Sequence, residues 1–148
     1  SGFKGIAHRL NIAAVKGGVT FYNDSKSTNA HSTLTAVKAM TQKTVLLLGG
    51  SDKNENLKPF FKELKKYRKI WHCVLFGQAK ERFASEARAC GYNDFSLCEG
   101  GMQSAVTEAY QICKGEGAVL LSPACASYDE FDNFERRGEK FIQIVNNL

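Results

Sequence analysis

Proline is scarce, at 2 of 148 residues, which excludes a collagen-like or proline-rich extended chain. The five cysteines, Cys73, Cys90, Cys98, Cys113 and Cys125, include no Cys-x-x-Cys pair, and an odd number cannot pair completely. Buried, reduced thiols are therefore expected rather than a disulfide or zinc framework. His8, His31 and His72 lack His-x-x-x-His spacing, so no metal site is expected. Apolar runs are short. Residues 45–48 continue only into Gly49-Gly50, far from the roughly 20 residues of a membrane helix, and no membrane partner is expected. No basic-then-apolar leader opens the chain. It starts Ser1-Gly2-Phe3-Lys4-Gly5 without Met, which reads as a piece excised from a longer protein. Phosphate fingerprints are missing as well. There is no Gly-x-x-x-x-Gly-Lys-Ser/Thr loop, and Gly115-Glu116-Gly117 precedes an apolar strand instead of following one. This chain alone is not expected to hydrolyse ATP.

What is present suits a soluble globular fold: 43% hydrophobic and 24% charged residues, enough for one core in a single domain spanning residues 1–148. The net charge of +5 would suit an anionic partner. Its densest cluster, Lys62, Lys65, Lys66, Arg68 and Lys69 around Glu63, reads as the solvated face and last turn of a helix. It lacks the aromatic interleaving of RNA-binding surfaces, so no nucleic-acid partner is expected.

Periodicity alternates along the chain. Leu10, Ile12 and Ala14 alternate with polar or small neighbours, and Lys16-Gly17-Gly18 then leads into Val19-Thr20-Phe21-Tyr22, which predicts a hairpin. Helical spacing follows over residues 29–41, 57–67, 80–90, 102–114 and 133–147. Apolar strands fall at 44–48, 71–76, 95–97 and 118–121. Wholly apolar strands separated by helices indicate a parallel sheet covered on both faces. The expected fold is α/β, a Rossmann-like open sheet of about six strands, mostly parallel with one antiparallel N-terminal strand. Ligands of such sheets bind beyond the C-terminal strand ends.

Three unusual loops fall there, at residues 23–29, 49–54 and 122–129. Asn23-Asp24-Ser25-Lys26-Ser27-Thr28-Asn29 is polar throughout and precedes a helix. Free N–H groups, hydroxyls and a lysine could hold a carboxylate or phosphate there, and Asp24 could meet magnesium or a ribose. Equally, Ser27, Thr28 and Asn29 could only cap the helix. Gly49-Gly50-Ser51-Asp52-Lys53 permits close ligand approach. In Ser122-Pro123-Ala124-Cys125-Ala126-Ser127, Cys125 reads as structural, because no His lies near it in sequence. Phe131 and Phe134 are expected to anchor the last helix rather than form an aromatic ligand box, although one could do both.

Taken together, these segments resemble a known family. Phe21-Tyr22-Asn23-Asp24-Ser25-Lys26-Ser27-Thr28-Asn29 is similar to the opening motif of the C-terminal domain of MurD-type ligases. Residues 121–131, Leu-Ser-Pro-Ala-Cys-Ala-Ser-Tyr-Asp-Glu-Phe, with Asn133-Phe134-Glu135-Arg136-Arg137-Gly138, resemble its closing motif. His8-Arg9-Leu10 and Gly49-Gly50-Ser51-Asp52-Lys53 fall where the family has matching elements. Sister Mur ligases and folylpolyglutamate synthases differ at the opening motif.

The resemblance implies a bacterial, cytoplasmic, three-domain enzyme of peptidoglycan synthesis. Such a ligase uses ATP to make an acyl-phosphate on UDP-N-acetylmuramoyl-L-alanine, which the amine of D-glutamate then attacks. The central domain would hold ATP, magnesium and the catalytic machinery, so no catalytic or metal residue is expected here, and the isolated domain would be inactive. By motif, Lys26, Thr28 and Lys53 resemble residues that hold D-glutamate, with Ser127, the backbone at Tyr128 and the ring of Phe134. Arg9 and Asp24 resemble residues that reach the nucleotide. Ala30 stands where many members have Pro, and Tyr128 occupies a variable position. A standalone, non-enzymatic α/β module binding some other small anion is the alternative.

Overall fold

Gly17 and Gly18 both take positive φ, 51° and 82°, the two-residue turn whose twist matches paired strands. β1 (Asn11–Lys16) therefore folds back antiparallel on β2 (Val19–Asn23), as the alternation predicts. The computed structural model describes residues 10–148. Beyond the hairpin come α1 (Ala30–Ala39), β3 (Thr44–Gly49), α2 (Lys58–Leu64), β4 (Ile70–Phe76), α3 (Lys80–Ala89), β5 (Phe95–Leu97), α4 (Met102–Cys113), β6 (Ala118–Leu121) and α5 (Phe134–Asn146). The six strands lie in the order β1-β2-β6-β3-β4-β5, with every pairing except β1–β2 parallel.

The central strands are apolar on both faces because both faces are covered. On β3, Leu46 and Leu48 pack with Phe60, Phe61 and Leu64 of α2 and Phe83 of α3, in a cluster that also takes Ala36 and Val37 of α1. Val45 and Leu47 point the other way, into Met102, Ala105 and Val106 of α4 and Phe141, Ile144 and Val145 of α5. Three helices thus cover one face and two the other. α2 is shorter than its periodicity suggests. After Leu64 the chain tightens, with the Lys66 N–H on Glu63 O and the Tyr67 N–H on Leu64 O, so the basic cluster ends in a turn. Four of the five thiols are buried and Cys90 is partly so, all of them free.

At the β5 edge, His72 Nε2 lies 2.8 Å from Ser96 Oγ, which donates to Glu108 of α4. The serine proton is committed to the carboxylate, so the group cross-links β4, β5 and α4 and does not prepare a nucleophile. Burial holds the His72 pKa below its ordinary 6.5, against the opposing pull of Glu108 and Asp94. The folded chain therefore binds fewer protons here than the unfolded one, and stability should rise as pH climbs through the window just below 6.5. His72→Gln is expected to flatten that part of a urea-midpoint profile; an unchanged slope would contradict the assignment.

Candidate functional site

Every parallel strand ends at the same edge, and the loops that follow are tied to one another by backbone hydrogen bonds. Asp24 N donates to Leu121 O at 2.7 Å and Ala124 N to Ser27 O at 3.0 Å. Gly49 N donates to Pro123 O at 3.0 Å, Ser51 N to Ala126 O at 2.8 Å, and Ala79 N to Gly50 O at 2.9 Å. The loops after β2, β6, β3 and β4 thus form a continuous crest. Two glycines permit it. A Cβ on Gly49 would lie 1.8 Å from Phe76 O, and one on Gly50 2.4 Å from Ala126 O, with φ of 140° and 141°. Two of the three described non-glycine residues at positive φ, Asn54 and Ala124, also lie in the crest. Such backbone strain concentrates at ligand sites.

Beneath the crest lie buried polar groups. Asp24 is 4% exposed, and its Oδ2 accepts Ser27 Oγ at 2.5 Å and Ser122 Oγ at 2.7 Å. Thr33 Oγ1 donates to Ser122 O at 3.0 Å, joining α1 to the same knot. Arg137, 1% exposed, gives Nε to Ser25 Oγ at 2.9 Å and one terminal nitrogen to Ser25 O at 2.8 Å, while Ser25 Oγ donates to Phe134 O at 2.7 Å. Burial lowers the guanidinium pKa to about 10, so it stays charged at neutral pH. Burial also pushes the neighbouring Cys125 thiol up to about 12, which suits a structural thiol.

Four acids of the crest are already engaged. Glu55 accepts the Ala30 N–H at 3.2 Å and so occupies the start of α1, where the loop chemistry alone would admit an anionic ligand. A Pro at position 30 would have no N–H to offer, so the alanine there has a physical use. Asn29 caps α1 through its side chain on Ser32 N at 2.9 Å. Glu130 accepts the Met102 N–H at the start of α4, and Asp129 the Gln78 N–H. Asp52 pairs with Arg82 at 2.9 Å. By contrast, no ion pair among the described residues involves Lys26 or Lys53.

The expected site residues all lie on this crest except Arg9, which falls outside the described residues. Lys26 and Phe134 share a hollow of about 310 Å³ with Asn23, Ser25, Glu135 and Gly138. Lys53 lines a narrower crevice with Ser51, Glu55, Arg82 and Cys125. The two lysines thus flank the junction of Gly50, Cys125 and Arg137 and do not share a hollow. Thr28 is half-buried, Ser127 is buried and Tyr128 is 74% exposed. Phe131 is partly buried against the α4–α5 side of the core, whereas Phe134, at the first turn of α5, stays 39% exposed and lines the hollow. Asp129, Glu130 and Arg137 lie within the closing motif but carry no role read from sequence, and Glu55 was not singled out.

A family described as "Mur ligase, glutamate ligase domain" matches residues 8–125. The chain belongs to that family. Proteins named UDP-N-acetylmuramoylalanine–D-glutamate ligase from Caldicellulosiruptor saccharolyticus and Bdellovibrio bacteriovorus are 40% and 41% identical to it, over 99% and 97% of this chain. The chain spans about a third of their length, 32% and 30%. Two solved structures share the fold: a MurF ligase from Thermotoga maritima with ADP, at 18% identity and TM-score 0.54, and a UDP-N-acetylmuramoylalanyl-D-glutamyl-2,6-diaminopimelate–D-alanyl-D-alanyl ligase from Acinetobacter baumannii, at 16% and 0.57. They cover 95% and 92% of this chain, and the chain covers 31% and 29% of theirs. Membership in a Mur ligase family does not favour the standalone module. No described helix is long and apolar enough to cross a membrane.

In this Mur ligase domain the crest thiol should be inert. With native protein at pH 8, Cys90 is expected to react first with an aromatic disulfide reagent, and Cys125 only on unfolding. Fast native labelling of Cys125 would show that the crest opens.

Proposed function

We propose that this chain is the D-glutamate-binding domain of an ATP-dependent ligase that joins D-glutamate to UDP-N-acetylmuramoyl-L-alanine. The observation that carries the reading is the charge arrangement of the crest. Glu55, Asp129 and Glu130 are taken up by backbone N–H groups and Asp52 by Arg82, while Lys26 and Lys53 form no ion pair among the described residues, although Glu135 and Glu139 line the Lys26 hollow. A dianionic amino acid needs two cations and further donors to leave water. Lys26, Thr28 and Lys53, with Ser127, the Tyr128 backbone and the Phe134 ring, supply that set. The D-glutamate amine must remain free and meet the acyl-phosphate, where it forms the amide as phosphate leaves.

ATP comes to this reading from the family's ADP-bound neighbour and from the motif resemblance. The described residues do not fit a magnesium site. They hold no group of three His, Cys, Asp or Glu side chains suited to a metal, and Asp24 spends its Oδ2 on two hydroxyls. We assign ATP and magnesium to a central domain, with Arg9 and Asp24 facing the nucleotide when the domains close. The whole enzyme is cytoplasmic on this reading, and its UDP-linked substrate sits in the remaining domain.

Lys26→Ala and Lys53→Ala in the full-length protein test it. Each is expected to raise the KM for D-glutamate by about tenfold or more, with the KM for ATP within about twofold. Unchanged D-glutamate kinetics in both variants would overturn the assignment.

A further inference from the structure

We propose that Arg137 is a positioning residue for the D-glutamate site, acting through Lys26. The inference rests on the function proposed above and adds a residue to it. Arg137 is a buried cation, and none of the ion pairs among the described residues includes it. Its second terminal nitrogen has no hydrogen-bond partner among the described residues. A buried guanidinium without a counter-ion costs stability. Even a buried ion pair is often replaced by apolar side chains at no cost to stability, so a buried cation without a partner calls for a use beyond packing.

The contacts supply that use. One terminal nitrogen holds Ser25 O, the carbonyl of the peptide bond that leads into Lys26, at 2.8 Å. Nε holds Ser25 Oγ, and the same hydroxyl donates to Phe134 O. Lys26 therefore leaves a backbone locked to the first turn of α5, beside the exposed Phe134 ring. The free nitrogen lies 3.2 Å from where a Gly50 Cβ would stand, so the guanidinium also underlies the turn that leads to Lys53. A single planar group thus fixes the post-β2 segment and abuts the post-β3 turn. Gly138 completes the fit, since a Cβ there would press on Asn23 Nδ2 at 3.0 Å and Ser25 Cβ at 3.4 Å. Lysine cannot reproduce the two-point grip, because an ammonium is a point donor without the fork geometry.

A double-mutant cycle in the full-length protein decides the matter. Arg137→Lys keeps the charge and removes the fork. It is expected to raise the KM for D-glutamate about tenfold while leaving the KM for ATP within about twofold. In a Lys26→Ala background the same substitution should have little further effect, because its action passes through Lys26. Ser25→Ala, which keeps the guanidinium and removes the bridging hydroxyl, should show the same D-glutamate-selective loss and carries the test if Arg137→Lys does not fold. Multiplicative effects of the Arg137 or Ser25 change with Lys26→Ala, or equal losses for D-glutamate and ATP, would reduce Arg137 to a merely structural residue. If Lys26→Ala itself left D-glutamate kinetics unchanged, the site assignment would fall instead, and the two failures are distinguishable.

Discussion

The turn after β3 must touch the loop after β6, and the bare Cα of Gly50 makes that contact possible. A methyl there would meet Ala126 O, Cys125 and Arg137 at once. From this contact follow the Ser51–Ala126 bridge, the Ala79 hydrogen bond on Gly50 O and the seat of the guanidinium. The crest is thus a zipped set of strand ends, unlike a row of independent loops. Such preorganisation reduces the ordering cost of ligand binding.

The polar groups under the crest show a division of labour. Hydroxyls hydrogen-bond the buried charges: Ser27 and Ser122 donate to Asp24, and Ser25 accepts from Arg137. Surface acids end on helix N-termini or on Arg82, where the unsatisfied N–H groups favour them. That leaves Lys26 and Lys53 as exposed cations carried on fixed backbone. On the proposed reading, a dianion would meet these two cations with Glu55, Asp52, Asp129 and Glu130 already engaged elsewhere.

Much of the fold was legible because wholly apolar strands and helical spacing leave few alternatives, and because a two-glycine turn specifies a hairpin. The short α2 escaped because the switch to a tighter turn after Leu64 leaves the apolar spacing intact. At the site, motif resemblance located the lysine-bearing loops, but the long-range partners were hidden. Glu55 reaches Ala30 across 25 residues, and Glu130 reaches Met102 across 28. Those contacts exist only once the sheet order is known. Arg137 did leave a sequence signal. It stands four, seven and eight residues before Phe141, Ile144 and Val145, on the buried face of α5, and an arginine on an apolar stripe marks a buried charge with work to do.

The most direct test of the crest as the D-glutamate site is amide hydrogen exchange on the full-length protein with saturating D-glutamate or L-glutamate. Slowed exchange confined to residues 24–29, 50–54 and 122–128, and stronger with the D enantiomer, is the expected result. Equal protection by both enantiomers, or protection elsewhere on the domain with none in these segments, would contradict it.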